Sequence, residues 1–307
     1  MSAPPASINP SLGKVLVVAG SDSGGGAGIQ ADIKAVMAQG GYATTAISAL
    51  TAQNTLGVQD ILPVPEAFVA RQMTSILSDI GADCMKTGML ASRAVIETVA
   101  ETRAELAPKL PMIIDPVMVA TSGDRLVEDD VMDTLAALLV NQAFVVTPNL
   151  PEASLLTRRD VDTPDDMKRA ADTLMEAGAH AALIKGGHGS GRVVTDLLAM
   201  QSGFEIFEHE RIETTNTHGT GCTLASALSG QIANKLAGAM VDGHADYDSA
   251  AADKAENATD FKSAAPNSDG KPSDAMLKAA TETALAYVHQ AIISAPNIGG
   301  GNGPLAH

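Results

Sequence analysis

Tryptophan is absent from this 307-residue chain, and Phe and Tyr together make up only 3% of it. With so few rings to stack on, a platform for single-stranded nucleic acid is hard to build, and the core has to be aliphatic. Basic residues are also scarce: 20 Lys and Arg stand against 36 Asp and Glu, a formal charge of -16. That charge repels phosphate backbones and anionic membranes, and no Lys- or Arg-rich run offsets it. Nucleic acid and membrane partners are therefore disfavoured. Cys84 and Cys222 are the two cysteines, too few for a disulfide framework, and the start MSAPPASINPSLGK lacks the apolar stretch of a secretory signal. The expectation is a reduced, cytoplasmic protein. No stretch approaches the ~18 uncharged apolar residues of a membrane span.

What the chain does have is small aliphatic residues, 45% hydrophobic in all, enough for a sizeable core. Short apolar runs alternate with amphipathic stretches. KVLVVAG is followed by a helical pattern over 27–39, and YATTAISAL and DILPV by one over 66–78. CMKTGM precedes 92–107, PMIIDPV precedes 128–140, and AFVVTPN precedes 151–156 and 164–177; AALIKGG leads into RVVTDLLAM and FEIFEHERI. Strand then helix, repeated so often, predicts a mostly parallel sheet with helices on both faces. The last two runs, joined at Gln201-Ser202-Gly203, read as an antiparallel hairpin. Residues 238–273 break the pattern: acidic, small and poor in aliphatics, they read as a flexible surface insertion.

Several common enzyme signatures are missing. Gly26, Gly28 and Ala31 match a G-x-G-x-x-A dinucleotide pattern, but the turn from Ala19 is long for it and ISALTAQNT offers no acidic residue for a ribose. A dehydrogenase is disfavoured. There is no G-x-x-x-x-G-K-[ST], no H-E-x-x-H and no G-x-S-x-G.

Polar residues at predicted strand ends remain: Asp22, Gln53, Lys86, Asp115, Asn149 and Lys185. The carboxyl ends of parallel strands open onto the ligand crevice, so their joint placement there is informative where any one alone would pass as a turn or cap. NTHGTGCT adds a phosphate site without a lysine: Gly219 and Gly221 let the chain turn sharply, so that the amides of Thr220, Gly221 and Cys222 point together at an anion from a helix N-terminus. A thiol in that position has its thiolate favoured by the helix dipole, so Cys222 is expected to have a lowered pKa and to act as a base; the rival reading is a small spacer.

AGSDSGGGAGIQADIKA, ALTAQNTLGV, KTGML, DPVMVATSGDRL, TPNLPEA, IKGGH and NTHGTGCTLASA follow in order, over residues 14–236 and again from about 275. By these motifs the chain resembles the hydroxymethylpyrimidine/phosphomethylpyrimidine kinases of thiamine biosynthesis, in the ribokinase superfamily. The resemblance implies one ribokinase-like three-layer α/β/α domain with a mostly parallel central sheet, a homodimer, and two successive phosphorylations with ATP and Mg2+. It departs from the family at the 238–273 insertion, at Ala306, where an Asn is common, and at Thr121, where many relatives have Lys in a segment, VATSGD, that could close as a flap.

Carried onto this sequence, the pyrimidine pocket includes Gly20, Asp32, Gln53 and Met89. A Gln amide offers a donor and an acceptor side by side, matching the ring nitrogen and exocyclic amine of an aminopyrimidine; Met89 would be an adaptable apolar wall. For the nucleotide, Lys185 would neutralise transferring phosphate oxygens beside Gly219, Thr220 and Gly221, while Asp115, Asn149 and Glu152 would hold Mg2+ directly or through water. Cys222 would take the proton of the attacking alcohol, where superfamily relatives commonly have Asp. A pyridoxal or pyridoxine kinase is the alternative, although pyridoxal kinases usually carry that Asp. A non-catalytic pyrimidine-binding protein is the third reading, and the intact GTGC, Asp115 and Lys185 argue against it.

Overall fold

Strand β1 (Lys14–Asp22) shows how the sheet is built. Successive side chains of a strand point to opposite faces. Val15, Val17 and Ala19 join one aliphatic cluster and Leu16 and Val18 the other, so the strand is apolar on both sides and has to be covered on both. The computed structural model describes residues 12–118, 129–189, 191–238 and 272–307. Helix α1 (Gly28–Ala38) follows, then β2 (Tyr42–Asn54), β3 (Gly57–Pro63), α2 (Glu66–Asp79), β4 (Cys84–Thr87), α3 (Arg93–Leu106) and β5 (Met112–Ile114). Next come α4 (Asp129–Leu138), a 3-10 turn at Val140–Gln142, β6 (Val145–Val146), α5 (Leu150–Thr157), α6 (Pro164–Glu176) and β7 (Ala181–Ile184). The chain continues with β8 (Val193–Met200), β9 (Gly203–Glu210), α7 (Thr220–Leu236) and α8 (Asp274–Ile293).

The strands form one nine-stranded sheet in the order β3-β2-β1-β4-β5-β6-β7-β8-β9. Pairing is parallel from β2 through β7 and antiparallel at β2·β3, β7·β8 and β8·β9. The hairpin expected at 201–203 is present, with Met200 opposite Gly203. Helices α2 to α6 pack on one face, through residues such as Met73, Ile96, Leu135, Ala153 and Leu174. Helices α1, α7 and α8 pack on the other, through Val36, Leu228 and Leu277 among others. This is the expected three-layer α/β/α arrangement. No described helix is long and apolar enough to cross a membrane. The flap segment with Thr121 and the insertion read at 238–273, apart from Gly238 and residues 272–273, lie outside the described residues.

Two glycine loops meet at the carboxyl end of the sheet. Gly219, the N-cap of α7, has φ +83, and a Cβ there would stand 1.8 Å from the Gly26 carbonyl oxygen. Both the backbone conformation and the contact require glycine. Gly219→Ala should therefore cost at least ~2 kcal/mol of stability in urea denaturation, from the left-handed conformation plus the clash. Gly187→Ala, where a Cβ meets nothing within 4 Å, should stay within ~0.5 kcal/mol of the parent chain. Equal stabilities for the two variants would contradict the close approach.

Candidate active site

Asp22 ends β1 and organises the glycine-rich turn behind it. Its carboxylate accepts from the amides of Gly24 (2.7 Å), Gly26 (3.0 Å) and Ala27 (2.8 Å), and from His218 Nε2 at 2.9 Å. Burial opposes ionisation, but His218 and the Ala27 and Gly24 amides hold the Asp22 carboxyl below its ordinary value. The turn's own carboxylate thus takes amides that a dinucleotide-binding turn would offer to a pyrophosphate, which accounts physically for the poor match to that pattern.

Gln53 stands near the end of β2, half-buried, with its backbone tied to Ser23: Ser23 Oγ donates to the Gln53 carbonyl and accepts from its amide, both at 2.8 Å. The Gln53 side chain lies between Thr51 Oγ1, 3.0 Å from Oε1, and His218, whose Nε2 is 3.4 Å from the amide nitrogen. Met89, just beyond β4, is 8% exposed, and its methyl group lies so close to β1 that a Cβ on Gly20 would meet Met89 Cε at 2.4 Å. Gly20 and Met89 are therefore neighbours. The structure brings Gln53 close to the loop that starts α7, through His218.

Asp32 departs from the expected picture. It is fully buried on α1, where it accepts from Lys86 Nζ at 2.8 Å and from Ser226 Oγ at 2.7 Å. It lies on neither an open pocket wall nor a solvated helix face. Lys86 is the penultimate residue of β4, on the same side as Cys84, and so faces α1 and α7. Burial works against its charge, but Asp32, with Cys222 and Asp115, raises its pKa and keeps it an ammonium. Asp32 Oδ2 has no hydrogen-bond partner among the described residues.

Cys222, in the first turn of α7, reverses the expectation of a thiolate. Burial pushes its thiol up to about 12. Lys86 and the Gly28 amide pull the other way, while Asp32 and Asp115 add to the rise. The helix end was counted in the sequence reading; the two carboxylates and the desolvation could not be. The amide array is also smaller than expected. The Thr220 amide turns back to the Thr217 carbonyl at 3.3 Å and its hydroxyl does the same at 2.7 Å. The amides of Gly221 and Cys222 remain without an acceptor among the described residues.

Lys185 follows β7 and reaches the start of α7. Its Nζ lies 2.9 Å from Asp115 Oδ1, 3.8 Å from Glu152 Oε2, and 3.1 Å from where a Cβ on Gly221 would stand. Burial disfavours the charge on Lys185, yet Asp115 and Glu152 raise its pKa. The same ammonium, with Lys86, holds the buried Asp115 carboxyl below its ordinary value. Glu152 is pushed up by burial to about 7, with Lys185 opposing and Asp115 reinforcing the rise. Asn149 is less free than expected: it caps α5 in a reciprocal box, its Oδ1 accepting from the Glu152 amide and its own amide donating to Glu152 Oε2. Its side-chain oxygen is committed to the helix. Asp115 Oδ2, by contrast, is buried without a partner among the described residues.

The structure thus brings together Lys185, Asp115, Glu152, Gly221 and Cys222 on one side of the α7 start, and Gln53 on the other, beside His218. His218 is the residue that sequence reasoning missed. It was visible inside NTHGTGCT, but its partners Asp22 and Gln53 lie 196 and 165 positions away. Among the described residues no group of three His, Cys, Asp or Glu could hold a metal by itself.

Known proteins resemble this chain in sequence and in fold. The family model described as phosphomethylpyrimidine kinase matches residues 22–257. The bifunctional thiamine biosynthesis protein ThiED of Geobacter sulfurreducens is 46% identical over 221 residues, covering 72% of this chain and 45% of that protein. The chain thus spans under half of that relative's length. The hydroxymethylpyrimidine/phosphomethylpyrimidine kinase of Bacillus subtilis is 44% identical over 224 residues, 73% of this chain and 82% of that one. Among solved structures, an ADP complex of Bacillus subtilis pyridoxal kinase superposes with a TM-score of 0.76 at 31% identity, covering 97% of this chain and 98% of that chain. The fold is that of the ribokinase-like vitamin kinases, and the chain belongs to the phosphomethylpyrimidine kinase family.

Proposed function

We propose that this chain, as a single catalytic domain, phosphorylates 4-amino-5-hydroxymethyl-2-methylpyrimidine with ATP, and then phosphorylates the product again to the diphosphate. The observation that carries the reading is the convergence of the Lys185 ammonium, two acidic side chains and two unpaired amides at the start of α7. In each round the substrate oxygen bonds to the γ-phosphorus, the bond to the ADP oxygen breaks, and the attacking alcohol or phosphate loses any proton it carries to solvent. Such a transfer has little covalent chemistry for a protein to supply, so placement and charge dominate.

Each residue has a part in this. Gln53 grips the aminopyrimidine edge, with Met89 packing on the ring over Gly20. The amides of Gly221 and Cys222 face the transferring group, with Gly219 setting the turn and Thr220 bracing it through Thr217. Lys185 offsets the charge on the phosphate oxygens. Asp32 acts from below, holding Lys86 under Cys222. Asp115 and Glu152 suit Mg2+, which prefers hard oxygen donors and keeps several waters: Asp115 Oδ2 is a buried oxygen with no partner among the described residues, and Glu152 lies on the same ammonium. When bound, the metal would neutralise phosphate charge; Asn149 would support it only through Glu152. Cytoplasmic location and the homodimer belong to the same reading, the latter supported by Leu50 and Leu62, exposed opposite each other on the sheet edge. Pyridoxal phosphorylation is the second reading, favoured by the superposition on pyridoxal kinase. ATP consumption with hydroxymethylpyrimidine, its phosphate and pyridoxal in turn separates the two.

Three outcomes are expected. Lys185→Ala should lower turnover by about 10²-fold or more while pyrimidine binding, measured by calorimetry, stays within about twofold; unchanged turnover removes Lys185 from the chemistry. Gln53→Leu keeps the volume and deletes both hydrogen bonds, so pyrimidine binding should weaken by roughly 1–3 kcal/mol; an unaltered constant puts the ring elsewhere. Cys222, a thiol with a pKa of about 12, should resist iodoacetamide from pH 7 to pH 9, and Cys222→Ala should keep turnover within about tenfold of the parent, because a loose transition state needs little prior deprotonation. Rapid alkylation at neutral pH, or a loss of 10²-fold or more with ATP binding intact, would restore the thiolate base.

A further inference from the structure

Donors and acceptors around the Gln53 side chain do not match with its amide oxygen toward Thr51 and its nitrogen toward His218. Thr51 Oγ1 is 3.0 Å from the Ser21 carbonyl oxygen and 3.0 Å from Gln53 Oε1. Both are acceptors, and a hydroxyl has one proton to give. On the other side, His218 Nε2 is 2.9 Å from the Asp22 carboxylate, which only accepts, so that nitrogen has to carry a hydrogen. Its other close neighbour, 3.4 Å away, is the Gln53 amide nitrogen, also a donor. One proton is lacking on one side and one is in excess on the other.

A single change removes both conflicts. The two ends of a Gln amide have nearly the same shape, and their partners decide which is which. Turned by half a rotation, the amide donates to Thr51 Oγ1, which is then free to give its proton to Ser21, and its oxygen takes the longer branch, at 3.4 Å, of a bifurcated bond from the His218 Nε2–H whose shorter branch goes to Asp22 at 2.9 Å. Asp22 holds the tautomer, because its carboxylate is fixed by the amides of Gly24, Gly26 and Ala27. His218 is itself held: its backbone amide donates to the Gly303 carbonyl, and its ring lies against Gly26, where a Cβ would meet Cδ2 at 2.5 Å.

We infer that His218, locked by Asp22, is a positioning residue that fixes the direction of the Gln53 amide and thereby selects an amino-substituted pyrimidine edge over an oxo-substituted one. The inference rests on the reading that Gln53 binds the ring. In the fixed direction Gln53 leaves one oxygen lone pair and one N–H side by side for a ligand. An aminopyrimidine matches them: its exocyclic amine donates to Oε1, on the His218 side, and its ring nitrogen accepts from the amide. The 4-oxo analogue carries a ring N–H beside a carbonyl and has the two roles exchanged. It can bind only against two like-to-like contacts, or by turning the ring over, which moves its hydroxymethyl group away from the reacting position.

The test is the ratio of kcat/KM for 4-amino-5-hydroxymethyl-2-methylpyrimidine to that for its 4-oxo analogue, in the parent chain and in Gln53→Leu, His218→Phe and His218→Gln. The parent should prefer the amine by about 10²-fold or more. His218→Phe removes the donor, lets the amide turn freely, and should cut the ratio by about tenfold or more, with thermal melting checking that the variant is folded. His218→Gln restores an N–H near the same position and should keep the ratio within about threefold of the parent. A parent-like ratio in His218→Phe overturns the inference while leaving Gln53 in the pocket. A parent-like ratio in Gln53→Leu removes Gln53 itself from ring recognition, a separate failure. Imidazole 15N spectra of the unaltered protein give a readout free of any variant: His218 Nε2 should be the protonated nitrogen, and an unprotonated Nε2 contradicts the inference.

Discussion

The contact between Gly26 and Gly219 sets the position of everything else at the site. Because neither loop carries a Cβ there, the turn after β1 and the start of α7 approach so closely that a Cβ on Gly219 would overlap the Gly26 carbonyl oxygen. One side of the α7 loop then presents His218 to Asp22 and Gln53; the other presents Gly221 and Cys222 to Lys185 and Asp115. Were the loops a side chain further apart, His218 beside Gln53 and the Gly221 amide beside Lys185 could not share one rigid element. A near-attack arrangement tolerates little of that displacement.

Electrostatics at the site run against the global charge. A chain of formal charge -16 keeps two ammonium groups at this site, Lys185 and Lys86, almost entirely out of water. Each is matched by a carboxylate at 2.8 or 2.9 Å, which offsets the cost of removing it from solvent. The same carboxylates explain the Cys222 thiol. Helix dipole and lysines favour a thiolate, but burial and two nearby acids outweigh them, so the sulfur stays protonated.

Much of this was legible in the sequence, and for identifiable reasons. The unbroken apolar run in KVLVVAG makes both faces of β1 apolar, and IKGGH places Lys185 after an apolar strand because the chain has to turn where the apolar run ends. The parallel order follows from strands separated by helices. Individual roles were less legible. Lys86 reads correctly as lying near a strand end, but CMKTGM gives no local sign of the face it points to; the fold turns it toward α1 and Asp32. Asn149 read as a metal ligand, but three residues later stands the Glu that makes it a helix cap.

By itself the sequence determined the layered α/β architecture, the antiparallel hairpin and the glycine-bounded start of α7, all of them local consequences of hydrophobic period and of backbone freedom at glycine. The tertiary structure alone decided which charges meet. The Lys86–Asp32 pair spans 54 residues, Lys185–Asp115 spans 70, and His218–Asp22 spans 196. Protonation state, tautomer and amide direction depend on such neighbours and on burial, which are sums over atoms from distant segments. No window of sequence contains them.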